Sequence, residues 1–230
     1  MFVSAIVVAA GKGKRLGSRA SKPALKLNSR PIISFSLDVL NKHPWIKEII
    51  VVANPGNIRA LGAIIRRDKP RKEVKLVLGG KERKDSVAQG LKALNPRAEL
   101  VLIHDAARPF ITGGLVASVI KEARKSKAAI LGVAVKPTIK RCRVQGTGCR
   151  VKETIDRRNI REIQTPQVFQ KELILDAYKK YGRRKVTDDA MLVEKLGKPV
   201  SIVPGSSLNI KITTPEDLII AKGIAGWKPA

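Results

Sequence analysis

Val3-Ser4-Ala5-Ile6-Val7-Val8-Ala9-Ala10-Gly11-Lys12-Gly13-Lys14-Arg15-Leu16-Gly17, with Ser21-Lys22-Pro23 close behind, is the stretch on which the reading of this chain turns. Residues 3–10 carry small and β-branched apolar side chains without polar alternation, the pattern of a strand buried on both faces. The glycines that follow permit a tight backbone whose N–H groups can approach an anion. Arg15 and Lys22 bring fixed positive charge to the same place. A strand feeding a cationic glycine loop suits a triphosphate, so nucleotide chemistry is the first expectation.

The spacing excludes the two commonest glycine loops. A dinucleotide fingerprint places its third glycine where Leu16 stands, and wants an acid after the second strand, where Ala53-Asn54 is found. A P-loop wants a lysine and then Ser or Thr after its last glycine, but Ser18-Arg19 follows Gly17.

Outward from the loop, apolar runs recur at 47–53, 74–78, 99–104 and 129–135. Helical patterns lie between and after them at 31–42, 57–67, 83–95, 113–126, 170–181, 188–197 and 215–224. This alternation predicts an α/β fold, Rossmann-like and three-layered, with a mainly parallel sheet. Ligands on such sheets bind at the carboxyl ends of the strands, which collects the glycine loop, Gly79-Gly80 and His104-Asp105 at one edge. Thr112, Thr187 and Thr214 precede helical patterns and read as N-caps. Residues 136–164 break the rhythm: two loosely alternating runs flank Gly146-Thr147-Gly148, which predicts an inserted β-hairpin arm at about 136–160. An arm with so little to bury by itself is expected to pack on a neighbouring subunit. The rest reads as a single domain over 1–230.

The chain of 230 residues is 43% hydrophobic and 28% charged, a globular composition, and its net charge is +27. No apolar run reaches the roughly 18 residues of a membrane span. Met1 leads into the first strand without a basic n-region or cleavage site, so a cytoplasmic location with reduced thiols is expected. Cys142, Cys149, His43 and His104 lack the spacing of a zinc site, which gathers about four ligands. The Lys and Arg residues are spread along the chain, densest at 66–72 and 179–185, and neither cluster interleaves aromatics for base stacking. Nucleic acid is therefore expected only as an incidental polyanion, and the charge is read as a surface around a site for anionic substrates.

Four further segments join the opening loop. Gly79-Gly80-Lys81-Glu82-Arg83-Lys84-Asp85-Ser86 follows a strand and opens a helix, so its amides and Ser86 can meet a base or phosphate. In His104-Asp105-Ala106-Ala107-Arg108-Pro109 an aspartate at a strand end can hold Mg²⁺ or a hydroxyl, and Arg108 can pair with an acid. Asp156-Arg157 closes the arm, and Asn209-Ile210-Lys211-Ile212-Thr213 places one lysine in an apolar run. With Thr154-Ile155-Asp156-Arg157, Thr165-Pro166-Gln167 and Val186-Thr187-Asp188-Asp189, these segments resemble the 2-C-methyl-D-erythritol 4-phosphate cytidylyltransferases over about residues 4–223. The Ala106-Ala107 pair is the part that typically differs in the sister ribitol 5-phosphate cytidylyltransferases.

The resemblance implies roles residue by residue. Arg15 and Lys22 stabilise the transition state; Arg157, from the partner's arm, and Lys211 position the sugar phosphate. Asp105, Arg108, Thr138, Thr165 and Thr187 join them in substrate positioning. Ala9, Ala10, Gly11, Gly13, Gly79, Gly80, Ser86 and Ala106 bind the nucleotide. It also implies CTP and a sugar-alcohol phosphate as substrates, Mg²⁺ or another divalent cation held mainly by the CTP phosphates with Asp105 as the protein candidate, and a homodimer that exchanges arms. The chain departs from the family at two points. Ser21-Lys22-Pro23 replaces the usual Pro-Lys-Gln, with Lys26 as the fallback lysine, and Lys81 stands where an aspartate is common.

Overall fold

The computed structural model describes residues 1–11, 13 and 25–226. Arg15 and Lys22 lie outside the described residues. In chain order the elements are β1 (Val3–Val8), β2 (Lys26–Leu27), β3 (Arg30–Pro31), α1 (Ile32–Lys42), β4 (Ile46–Ala53), α2 (Ile58–Asp68), β5 (Glu73–Leu78), α3 (Arg83–Lys92), β6 (Leu100–Asp105), α4 (Gly113–Ser126) and β7 (Ala128–Ala134). They continue with β8 (Ile139–Gln145), β9 (Gly148–Ile155), β10 (Arg161–Gln170), α5 (Lys171–Tyr181), α6 (Ala190–Lys195), β11 (Ser201–Pro204) and α7 (Pro215–Gly226).

Seven strands form one sheet in the order β11-β7-β10-β6-β1-β4-β5. All neighbours are parallel except β10, which runs antiparallel to both β6 and β7. The chain builds outward from β1 through β4 to β5, then returns to β1's other side with β6. That reversal is where an open α/β sheet leaves a crevice for a ligand.

Two cores sandwich the sheet. Val3, Ala5 and Val7 of β1 face Ile33, Leu37, Leu61 and Val116 from α1, α2 and α4. Ile6 points the other way, to Val87 and Leu91 of α3, Ile174 of α5 and Leu192 of α6. This explains why β1 reads as unbroken apolar sequence: both its faces are covered. A smaller cluster of Leu27, Ile32, Ile212 and Ala221 fastens α7 to the β2–β3 hairpin. That hairpin turns on Asn28 and Ser29, both with positive φ, the twist a two-residue turn requires.

The five predicted strands and seven predicted helices are all present, with ends shifted by a few residues. Thr112 caps α4 by accepting from the Leu115 amide at 3.2 Å, and Thr214 and Asp217 exchange bonds at the start of α7. The cap expected at Thr187 is corrected. The helix begins later, at Ala190, and Asp188 Oδ1 accepts from the Met191 amide at 3.1 Å. A hairpin stands where one was expected, β8 pairing with β9, and residues 161–164 belong not to it but to the main sheet. β10 and β11 were not expected. Pro166 and the buried Gln164 and Gln167 interrupt β10's apolar signal, and the pairing with β7 shifts register between those two glutamines.

Candidate active site

A cleft of about 860 Å³ opens at the carboxyl ends of β1, β5 and β6. Ala9, Ala10, Gly11 and Gly13 line one side, Gly79 to Arg83 and Ser86 another, and Asp105, Ala107, Lys211 and Thr213 the third. Backbone bonds lock its rim: the Ala9 amide donates to Val52, Gly79 to Ala53 and Ala106 to Val8. Asn54 and Asn57 donate side-chain bonds of 2.8 Å to the carbonyls of Ala10 and Ala9, which hold the chain beyond β1 against β4.

The glycines there differ in kind. A Cβ at Gly79 would meet Ser86 Oγ at 2.6 Å and Ala10 Cβ at 2.9 Å, so only glycine lets the end of β5 close on β1. A Cβ at Gly80 would collide with Asp85. Among the described residues, a Cβ at Gly11 would meet nothing within 4 Å. Ser86 Oγ accepts from the Gly80 amide at 3.2 Å and donates to the Glu82 carbonyl at 3.0 Å; it shapes this loop.

Charge concentrates on Asp105. Arg83 Nε donates to its Oδ1 at 2.9 Å and Lys211 Nζ to its Oδ2 at 2.5 Å. Arg83 Nη1 reaches a second carboxylate, Asp189 Oδ2, at 2.8 Å, and the Tyr178 hydroxyl donates to Asp189 Oδ1 at 2.5 Å. Burial alone would raise the Asp105 carboxyl, but Arg83 and Lys211 outweigh it and hold it well below the usual range. Burial likewise disfavours the Arg83 charge, and Asp189 and Asp105 outweigh that too, raising its pKa. Burial and the neighbouring Asp189 charge raise the Tyr178 phenol, which stays a donor.

Behind Asp105 runs a buried relay. His104 Nε2 lies 3.1 Å from the Arg108 carbonyl, which can only accept, so Nε2 carries the proton. Nδ1, 3.1 Å from Thr165 Oγ1, therefore accepts from that hydroxyl, and Thr165 Oγ1 in turn accepts the Asp105 amide at 3.0 Å. Burial pushes His104 down to about 4, fixing the neutral ring. Arg108 is also buried: it donates to the carbonyls of Asn209 at 2.7 Å and Ile163 at 3.4 Å, tying the segment that carries Lys211 to β10.

These contacts do not compose a metal centre. No group of three or more His, Cys, Asp or Glu is placed to hold a metal among the described residues, and both oxygens of Asp105 are taken by cations.

The family profile described as "IspD: 2-C-methyl-D-erythritol 4-phosphate cytidylyltransferase" matches residues 3–226. A protein of that name from Clostridium botulinum (strain Okra) is 44% identical over 96% of each chain, and one from Halalkalibacterium halodurans is 42% identical over 99% of each. The chain belongs to this cytidylyltransferase family. Among solved structures, 4-diphosphocytidyl-2C-methyl-D-erythritol synthase from Anaerococcus prevotii shares the fold with a TM-score of 0.84 and 36% identity, over 98% of this chain and 99% of that one. The cytidylyltransferase of Thermus thermophilus gives 0.79 and 32%, over 98% and 99%.

Set against the roles that cytidylyltransferase membership implies, the structure gathers some residues and leaves others apart. Ala9, Ala10, Gly11, Gly13, Gly79, Gly80, Ser86, Asp105 and Lys211 share the cleft. Ala106, Arg108 and Thr165 are buried behind it, and Arg108 bonds carbonyls rather than the acid expected. Thr138 and Thr187 are exposed. Arg157, exposed in a short 3-10 turn, donates to the Lys136 carbonyl at the base of the arm and does not line the cleft of its own chain. Lys26, in β2, is exposed and does not line the cleft. Sequence reasoning missed Arg83, Asp189 and Tyr178; the first two lie inside motifs already quoted, but nothing in the spacing shows that they meet.

Proposed function

We propose that the protein transfers the cytidylyl group of CTP to 2-C-methyl-D-erythritol 4-phosphate, giving 4-diphosphocytidyl-2-C-methyl-D-erythritol and pyrophosphate in non-mevalonate isoprenoid biosynthesis. The observation that carries this reading is convergence. Ala9, Ala10, Gly11 and Gly13, the Gly79–Arg83 stretch with Ser86, Asp105 and Lys211, far apart in sequence, line one cleft in a chain that matches the family over residues 3–226.

In the reaction, a phosphate oxygen of the sugar-alcohol phosphate attacks the α-phosphorus of CTP. A new P–O bond forms while the bond from that phosphorus to the bridging oxygen breaks, and pyrophosphate leaves with the electron pair. The nucleophile is already an anion, so no general base is needed; positioning and charge stabilisation do the work. The difficulty is bringing two polyanions together. Among the described residues Lys211 is the more exposed of the two cations on Asp105, its side chain 38% accessible against 26% for Arg83, and an ammonium with three N–H donors can stay oriented by Asp105 while another donor meets a phosphate oxygen. Arg15 and Lys22 complete the charge at the α-phosphate by their family role. Mg²⁺ would be carried by the triphosphate itself; the described residues do not offer it a site, and no step is assigned to it.

The arm is read as a dimer element. Cys142 pairs with Val151 and Val144 with Cys149, so four apolar side chains share one hairpin face, with Val144 78% and Val151 54% exposed. An uncovered face of this kind favours a second subunit, and an Arg157 outside its own cleft is free to enter its partner's. No helix among the described residues is long and apolar enough to cross a membrane; a cytoplasmic homodimer completes the reading.

Pyrophosphate release from a panel of nucleotides and polyol phosphates tests the substrate assignment. CTP with methylerythritol phosphate is expected to be the preferred pair. Preference for ribitol 5-phosphate, or for UTP or GTP, would reassign it.

A further inference from the structure

We propose that Asp189, which does not line the cleft, is a positioning residue for the reaction: it pins Arg83 so that Asp105 keeps one oxygen for Lys211. The inference rests on the reading above only for its choice of substrates.

Arg83 is the first residue of α3, and its guanidinium stands between two carboxylates from distant elements. The Nε edge holds Asp105 Oδ1, Nη1 holds Asp189 Oδ2, and Nη2, buried, has no partner among the described residues. Nε and Nη2 together form the fork that grips a carboxylate by both oxygens. If Nη1 were released, the guanidinium could turn that fork fully onto Asp105 and take Oδ2 as well, displacing Lys211 from it. What prevents this is a firmly built anchor. The Asp189 side chain is 1% exposed and receives the Tyr178 hydroxyl on its other oxygen. Its neighbour Asp188 is held to β10 by Gln167 Nε2 at 2.8 Å. Tyr178, Asp189, Arg83, Asp105 and Lys211 thus form one chain of contacts, buried at one end and open to the cleft at the other. Asp189 touches no substrate; it acts through Arg83, and its effect should fall on the phosphate that Lys211 receives.

Steady-state kinetics with CTP and methylerythritol phosphate test this on wild type, Asp189→Asn, Tyr178→Phe, Arg83→Lys and the two double variants. Asp189→Asn is expected to raise KM for methylerythritol phosphate by about tenfold, the loss of roughly 1.4 kcal/mol. KM for CTP should stay within about twofold and kcat fall by less than about threefold. Tyr178→Phe should act in the same direction, by about threefold, and carries the test if Asp189→Asn does not fold. In the Arg83→Lys background either change should add less than about twofold, because the guanidinium they position is gone. Equal losses in both KM values, a fall in kcat alone, or effects that multiply with Arg83→Lys would overturn the assignment. A wild-type protein that does not turn over these substrates removes the functional reading and this proposal with it; failure confined to the variants removes the proposal alone.

Discussion

His104 shows how one neutral ring can hold a charged site in place. Its Nε2–H is spent on the Arg108 carbonyl and its Nδ1 on the Thr165 hydroxyl, so a second proton would face a donor already aimed at it. The sign of the pH effect follows. The folded pKa is depressed to about 4 from 6.5, so as pH falls through 6.5 the unfolded chain takes up a proton that the native state refuses. Stability is therefore full above pH 6.5 and drains away toward pH 4, at up to about 1.4 kcal/mol per unit and about 3 kcal/mol in all. Asp105 adds its own loss only lower, as pH falls below its ordinary 3.8. Urea unfolding of wild type and His104→Gln at intervals from pH 7.5 to 4.5 checks this, because the variant cannot titrate there and should show a flatter profile. Parallel profiles would mean that His104 is not the group responsible.

At the scale of elements, the site depends on how closely α3 lies against the sheet. Gly90 sits in the last turn of that helix, and a Cβ there would meet Ile6 Cγ2 at 2.7 Å and Val52 Cγ2 at 3.2 Å, both fully buried. Helix propensity favours Gly90→Ala by about 1 kcal/mol, whereas overpacking a filled core costs roughly 1–3 kcal/mol. Packing wins, and the variant should melt about 3 °C lower rather than higher; a raised Tm would show that α3 has room to move. The same elements show what sequence could and could not disclose. β1, β4 and β6 were legible because covering both faces leaves unbroken apolar runs. β10 was not, since its buried polar residues serve the site instead of the core: Gln164 Nε2 bonds the Ser206 carbonyl and Gln167 the Asp188 carboxylate. Asp105 and Lys211 were legible as motif residues, but their ion pair spans 106 positions of sequence, and the Arg83–Asp189 pair spans the same distance. Pairings of that range depend on sheet order, which periodicity does not encode.

Across the whole molecule the charge of +27 follows no single stripe. The dense runs at 66–72 and 179–185 begin at the ends of α2 and α5, where cations suit the helix dipole. The functional asymmetry lies in the arm, whose Arg157 bonds the Lys136 carbonyl and does not line the cleft of its own chain. Arg157→Ala and Lys22→Ala subunits, each expected to be nearly inactive, should therefore regain part of their activity when mixed, since one kind of mixed site retains both residues. No recovery after demonstrated subunit exchange would place Arg157 in service of its own chain or of none. Beneath all of this lies the claim that the cleft joins one substrate's phosphate to the α-phosphorus of CTP. Phosphorus NMR of the purified protein with CTP, Mg²⁺ and methylerythritol phosphate measures that directly. The account predicts a new pair of coupled diphosphate resonances appearing in step with pyrophosphate. Orthophosphate or CDP in their place, or unchanged substrates, would contradict it.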